Sequence, residues 1–374
     1  MPLRVGVVYG TRPEAIKLAP LALALEADEG FDPVLVSTGQ HREVLQEIGE
    51  LFGLKPRHDL AVMQPGQSLS AMAGRVIREI AEVFRQERLD VVVVQGDTSS
   101  AFAAAYAAVC ERIPVAHLEA GLRTGNRQEP FPEEINRRLI SQVSDLHFAP
   151  TEQAARHLLA EGFDPAGVHV TGNTVIDALR LTLDRPVRFR DRALARMATE
   201  PRLLLLTMHR RESWGAPMRR VAGAVARLCE ADPDLRVVVP LHPNPAVAEV
   251  FHEELGHHEQ VLLCEPLGYS EFVAVMERAA LVLTDSGGVQ EEAPSLGTPV
   301  LVLRSTTERP EGVAAGCALL VGTDPGAIVR EVTRLLGDPV AYEAMRRPGI
   351  TLYGDGKAAQ RCLDVLRELP RGTA

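Results

Sequence analysis

Lysine is almost missing from this chain: only Lys17, Lys55 and Lys357 stand among forty basic residues, a genomic or thermal bias. Cysteine is sparse as well. Cys110, Cys229, Cys264, Cys317 and Cys362 are scattered, odd in number and form no Cys-x-x-Cys pair, which fits reduced thiols in the cytoplasm. No apolar run approaches the length of a membrane span, and the first strand begins without the basic and apolar regions of a signal peptide. A cytoplasmic protein with no membrane partner is therefore expected. No Gly-x-Gly-x-x-Gly opens either half, which counts against a nicotinamide or flavin cofactor, and no Walker A sequence is present; no cofactor is expected. Excess positive charge is lacking too. A formal charge of −10 and a pI near 5.6 argue against a nucleic-acid partner, although basic residues gathered in one place still suit a small anion. His252-Glu-Glu-Leu-Gly-His257 resembles a zinc-binding HExxH, but its second histidine is one residue too far to share a helix face. It reads as a solvated helix end, and no metal site is expected.

What the chain does have is alternation. Its 374 residues exceed one ordinary core and suit two α/β domains, and its 46% apolar and 24% charged content is that of a soluble globular enzyme. Leu3–Tyr9 is a continuous apolar strand. Thr11 and Glu14 form a capping-box pair and Pro13 suits a first helical turn, so a helix begins there. A strand over Val34–Thr38, helices over Glu43–Phe52 and Leu69–Gln86, a strand Val91–Gln95, a helix Ser99–Glu111 and a strand Val115–Leu118 follow. The pattern loosens through Arg180–Glu200, expected to be the crossing between domains. It resumes with strands at Leu203–Thr207, Val237–Pro240, Val261–Cys264, up to Asp285, and Val300–Leu303. Helices near Pro325–Leu336 and Lys357–Glu368 close the chain. Such alternation predicts two Rossmann-like, doubly wound parallel sheets, with ligands at the carboxyl ends of the strands.

Charged residues collect at those ends. Arg12 sits at the mouth of the first turn, and Lys17 follows about one helical turn on. Gly96-Asp97-Thr98 leaves one strand, His117-Leu-Glu119 the next, and Pro132-Glu133-Glu134-Ile-Asn-Arg137 opens a helix. Asp97 or Glu133 alone would fit a helix cap, but three carboxylates on one edge are harder to explain that way. In the second half, Leu281-Val-Leu-Thr-Asp285-Ser286-Gly287-Gly288 reads as strand, tight turn and helix N-terminus. Unpaired N–H groups, a partial positive charge and a serine hydroxyl suit a phosphate there; a βα turn capped by Ser286 needs no ligand.

With these blocks in order, and with Gly39-Gln40-His41, His209–Glu212 and Thr306-Thr-Glu-Arg309-Pro310, the chain resembles the non-hydrolysing UDP-N-acetylglucosamine 2-epimerases over nearly its whole length. The resemblance implies a GT-B-like fold of two domains facing a cleft. Residues 1–173 would carry the acid/base carboxylates, 174–356 would bind UDP, and a helix at about 357–374 would cross back to the first domain. It further implies a homodimer, UDP-N-acetylglucosamine and UDP as ligands, and a product used in polysaccharide synthesis. By position, Asp97, Glu119, Glu133, Arg137 and His209 match the catalytic set. Arg12, Lys17, His209, Ser286, Gly287, Gly288, Glu292 and Arg309 match the nucleotide site, with Phe272 against the uracil and Glu292 on the ribose hydroxyls. Gln40, His41, Glu134, Arg210 and His242 match a second, activating UDP-N-acetylglucosamine site. The chain departs from that pattern at Glu43, where some activated members carry Gln, and at Gly66, where they carry Arg.

The chemistry implied is reversible inversion at C2 by anti elimination of UDP, a bound 2-acetamidoglucal and re-addition of UDP. Two faces of the sugar demand two acid/base groups, with Asp97 and Glu133 expected to move protons and Glu119 to position or stabilise. A hydrolysing 2-epimerase, a GT-B glycosyltransferase and a UDP-sugar sensor share parts of this pattern. The first would release N-acetylmannosamine and UDP, the second needs an acceptor pocket, and the third would bind without turnover.

Overall fold

The computed structural model describes residues 1–369 except 40, 41, 65, 129, 211, 212 and 243, with only the backbone at 42–44 and 246. The chain divides into two compact units, Met1–Leu181 with Tyr353–Ala374, and Thr182–Leu352.

The first unit holds β1 (Leu3–Tyr9), β2 (Phe31–Ser37), β3 (His58–Asp59), β4 (Val91–Gln95), β5 (Val115–Leu118), β6 (Leu146–Ala149) and β7 (Val168–Val170). They lie in the order β3-β2-β1-β4-β5-β6-β7, every pair parallel. The middle strands are largely apolar because helices cover both faces of such a sheet. Val8, Val34, Val92 and Val94 meet Ile80, Phe84, Ala104 and Ile140 in one buried cluster. The helix Ser99–Cys110 is alanine-rich, with six of its alanines buried. Small side chains let it sit close against the helices Leu69–Glu87 and Glu133–Val143. That close packing brings the start of Glu133–Val143 to the turn after β4.

The second unit repeats the plan with β8 (Leu203–Thr207), β9 (Arg236–Pro240), β10 (Val261–Cys264), β11 (Leu281–Thr284), β12 (Val300–Val302) and β13 (Ala318–Leu320), all parallel in the order β10-β9-β8-β11-β12-β13. Its core joins Leu204, Leu206, Val237, Leu281, Leu283 and Leu301 to Met218, Val225, Phe251 and Ile328. Burying one such side chain stabilises the fold by about 1.5–3 kcal/mol.

Both sheets reverse winding direction once, at β1/β4 and at β8/β11. Brändén's rule places ligands at the carboxyl ends beside such a switch point. The unit boundaries fall at 181/182 and 352/353, against 173/174 and 356/357 from sequence. Asp177 accounts for the first difference. It lies on the helix Thr174–Leu183, and its carboxylate accepts the N–H groups of Ala358 (3.2 Å) and Ala359 (2.9 Å) at the start of the helix Ala358–Arg367. The region read as a loose crossing, Arg180–Glu200, contains the end of that helix and another, Arg192–Met197.

Candidate active site

In the first unit the sequence-selected acids meet at the ends of β4 and β5. Gly96 follows β4 with φ +73°, which turns Asp97 out of the strand. Glu119 follows β5 with φ +65°, a left-handed conformation that costs a non-glycine residue about 1–2 kcal/mol. The sheet holds it there: the Leu118 carbonyl accepts from the Gly96 N–H (3.0 Å) and the Ala120 N–H donates to the Phe148 carbonyl (3.0 Å). Glu119 is thus pushed out of a ladder that is anchored on both sides.

Lys17 and Gln95 both donate to Glu119 Oε2, and all three side chains are buried. Lys17, matched to a nucleotide position by sequence, has its ammonium on this carboxylate. Asp97 is gripped by an ion pair with Arg137, and its carbonyl accepts from Asn136 Nδ2 (2.9 Å). Neither Asp97 nor Glu133 is a helix cap. Thr98 caps Ser99–Cys110 through the Ala101 N–H (3.0 Å), and Pro132 precedes Glu133–Val143 with no side-chain cap bond. Glu133 is half-buried and lies one turn before Arg137, on the same helix face. Its neighbour Glu134 is fully enclosed and accepts from Arg137 (3.0 Å), Arg138 (3.0 Å) and the Thr124 N–H (3.1 Å).

Glu14 organises the turn after β1. Its Oε2 accepts the Gly10 N–H (2.9 Å) and the Thr11 N–H (2.7 Å), and its Oε1 accepts from Thr98 Oγ1 (2.6 Å). The predicted capping box is present, and the same carboxylate ties the Arg12 turn to the Asp97 turn. Arg12 is half-buried at the first residue of that helix.

In the second unit Asp285 plays the matching part. It has no exposed surface, and its carboxylate accepts the N–H groups of His209 (3.1 Å) and Arg210 (3.1 Å), with the His209 Nδ1 at 3.4 Å. Arg210 Nε also donates to the Asp285 carbonyl (2.9 Å). In both units, therefore, a buried carboxylate already fills the backbone nest after the first strand. That is the position where a dinucleotide's pyrophosphate docks in nicotinamide-binding Rossmann domains, so the missing glycine fingerprint has a structural counterpart.

The turn matched by sequence to a phosphate opens the helix Gly287–Ser295 after β11. Its N-cap Ser286 makes no side-chain cap bond, so the hydroxyl is not used on its own helix, and the first N–H groups lack intrahelical partners by geometry. The Arg309 guanidinium lies under the opening turn: a Cβ placed on Gly287 would fall 2.8 Å from its NH1 and 2.9 Å from its Cζ. Arg309 Nε donates to buried Glu291 (2.8 Å), and its NH1 is 3.6 Å from Glu308. Glu308 also accepts from Arg304 (2.7 Å) and stands 3.8 Å from Arg210; despite burial, these arginines hold its carboxyl well below the ordinary range. Glu292 Oε2 lies beside Gly288, 3.6 Å from the position a Cβ would take, an ordinary contact distance. Tyr269 Oη donates to Glu292 Oε1 (2.6 Å). Phe272 is half-buried on the same helix, Tyr269–Arg278.

Of the set matched to an activating site, Gln40 and His41 lie outside the described residues. His242 accepts the Asn244 N–H on Nδ1 (3.1 Å), and its pKa is lowered by burial and by His209 nearby. Residues that sequence reasoning passed over are Gln95, Asn136, Tyr269, Asp285, Glu291 and Glu308. Asp285 alone carried a signal, as an acid at the end of an apolar strand. His252 and His257 are exposed, and among the described residues no group of three His, Cys, Asp or Glu could hold a metal ion. Among those residues no helix is long and apolar enough to cross a membrane.

Two all-parallel Rossmann-like units, with charged sites at both switch points, define a GT-B-like α/β protein. The family described as UDP-N-acetylglucosamine 2-epimerase matches residues 23–367. The Salmonella typhimurium UDP-N-acetylglucosamine 2-epimerase is 46% identical over 372 residues, 98% of each chain. The Neisseria meningitidis UDP-GlcNAc 2-epimerase bound to UDP-GlcNAc superposes with a TM-score of 0.92 at 41% identity, covering 98% of this chain and all of the other. The Methanocaldococcus jannaschii enzyme in complex with UDP-GlcNAc and UDP gives 0.83 at 34% identity, covering 97% and 99%. This chain belongs to the UDP-N-acetylglucosamine 2-epimerase family.

Proposed function

We propose that this protein interconverts UDP-N-acetylglucosamine and UDP-N-acetylmannosamine without hydrolysis. The observation that carries this reading is the set of three carboxylates, Asp97, Glu119 and Glu133, gathered in the first unit. Asp97 and Glu119 are each fixed by a cation. The anion seat at Gly287 and Arg309 in the second unit supports it.

The C2 proton of the sugar is not beside a carbonyl, so a carboxylate of pKa about 4 cannot simply remove it. The C1–O bond to UDP must break first or nearly so. Negative charge then develops on the diphosphate, where the helix N-terminus at Gly287, Arg309 and His209 of the second unit would stabilise it. One such donor is typically worth about 2.7–4 kcal/mol in the transition state. Loss of the C2 proton from one face gives a 2-acetamidoglucal. Protonation at C2 from the other face, with return of UDP to C1, gives the epimer. Asp97 and Glu133 take the two proton-transfer roles in this reading; Asp97 is paired with Arg137, which follows Glu133 by one turn of the helix Glu133–Val143. Glu119, clamped between Lys17 and Gln95, suits positioning and stabilisation of positive charge on the ring.

Product analysis of the wild-type protein and of Asp97→Ala and Glu133→Ala tests the reading. Wild type should yield UDP-N-acetylmannosamine. The variants should bind UDP as before while turnover falls by roughly 10²–10⁴. Release of free N-acetylmannosamine and UDP would assign the hydrolysing reaction. Binding with no turnover in wild type would assign a sensor.

A further inference from the structure

The buried tyrosine that opens the helix Tyr269–Arg278 makes one contact that none of the chemistry above uses. Its hydroxyl donates to Glu292 Oε1 at 2.6 Å, and both residues are nearly enclosed, at 3% and 6% exposure. A carboxylate on the helix Gly287–Ser295 would normally be free to choose among rotamers. Here one oxygen is pinned, and the other is turned toward Gly288, 3.6 Å from where a Cβ would stand.

The placement of this pair matters. Glu292 follows Gly288 by four residues, so it lies on the same helix face as the phosphate seat. Tyr269 and Phe272 are three apart on their helix and share a face as well. The Tyr269–Glu292 bond therefore joins the element carrying the aromatic platform to the element carrying the anion seat. In a nucleoside diphosphate, the group that spans base and phosphate is the ribose, and its vicinal diol offers two O–H donors to a carboxylate.

We infer that Tyr269 is a positioning residue that holds Glu292 in the one orientation able to accept both ribose hydroxyls, and so sets the preference of the site for ribonucleotides over deoxynucleotides. The inference rests on the UDP-binding reading of this unit. Tyr269 acts through Glu292, one of whose carboxylate oxygens it holds.

The test is calorimetric titration of the full-length protein with UDP and with 2′,3′-dideoxy-UDP, in wild type, Tyr269→Phe, Glu292→Gln and the double variant. Wild type should prefer UDP by about tenfold or more, as expected for charge-assisted bonds to a carboxylate. Tyr269→Phe should lower that ratio at least threefold by weakening UDP alone, leaving the affinity for dideoxy-UDP unchanged. The double variant should be no less selective than Glu292→Gln, because both changes act on one carboxylate. A merely structural tyrosine would weaken both ligands equally and leave the ratio where it was, which overturns the inference while the UDP reading stands. Additive losses in the double variant would overturn it too. A wild-type protein that binds both ligands equally would instead remove Glu292 from the ribose, and the UDP reading of this residue would fall with it.

Discussion

Two histidines inside the first sheet make a prediction about acid. His117 on β5 and His147 on β6 face each other across parallel strands and are 0% and 2% exposed. His117 Nε2 donates to the Gly96 carbonyl at 2.7 Å. Burial, with His147 and Arg123 nearby, pushes its pKa down to about 3 against the upward pull of the Gly96 bond and Asp97. Burial and Arg123 push His147 down to about 4, against Asp145. An imidazole whose folded pKa lies below the unfolded value of about 6.5 stabilises the fold fully above that pH. As the pH falls, the unfolded chain takes a proton that the folded chain refuses. At pH 5 this costs about 2 kcal/mol for His117, because its folded value lies well below the window. The carboxyls of Glu14 and Asp177, raised by burial, pull the other way, so the informative quantity is a difference between variants. His117→Gln keeps an amide donor for the Gly96 carbonyl but cannot titrate. Thermal unfolding of wild type and variant, followed from pH 7.5 to pH 5, should therefore diverge. Wild type should lose about 4–8 °C more, at roughly 2–4 °C per kcal/mol for a unit of this size. Parallel curves across that range would refute the claim that His117 is held neutral in the fold.

Two further substitutions probe the second unit. Gly287→Ala puts a methyl group where the Arg309 guanidinium lies, 2.8 Å from its NH1. Since that guanidinium is the end of a flexible side chain, the fold should survive while UDP affinity drops roughly tenfold; an unchanged dissociation constant by calorimetry would remove Arg309 from the anion seat. Asp285→Asn turns an amide donor toward the N–H groups of His209 and Arg210 and leaves a buried donor unsatisfied, at about 1–3 kcal/mol. Its melting temperature and turnover should fall together, and a variant melting like wild type would show that the carboxylate does not hold the His209 loop.

Much of the scaffold was legible because parallel strands covered on both faces are written as largely apolar runs. Leu3–Tyr9, Val91–Gln95, Val115–Leu118, Leu203–Thr207 and Val261–Cys264 have the bounds read from sequence. The strands that escaped are short and polar or lie toward the sheet edges: His58–Asp59, Leu146–Ala149, Val168–Val170 and Ala318–Leu320. Leu146–Ala149 contains His147, whose burial depends on a neighbouring strand and on Phe163, with ring centroids 4.8 Å apart. No local pattern encodes that.

The site shows the same division. Asp97, Glu119 and Glu133 stood out because they follow strands or open helices. Of their holders, Lys17 and Arg137 stood out as well, but Gln95 and Asn136 did not, since Gln95 reads as the last residue of a strand and Asn136 as an interior helix residue. Likewise Glu291 and Glu308 look like ordinary surface acids until Arg309 is seen between them. The cap alternative for Ser286, Asp97 and Glu133 could be decided only by the cap bonds themselves, and those go to Thr98 or are absent. Residues that touch a substrate tend to sit at strand ends, where sequence exposes them. Residues that orient those side chains come from anywhere in the unit.

The most direct measurement is proton NMR of the protein with UDP-N-acetylglucosamine in D2O. The proposed elimination and re-addition of UDP predicts growth of UDP-N-acetylmannosamine to an equilibrium mixture, with deuterium at C2 of the sugar and UDP still attached. Epimerisation with protium retained at C2, or loss of UDP without its return, would contradict it.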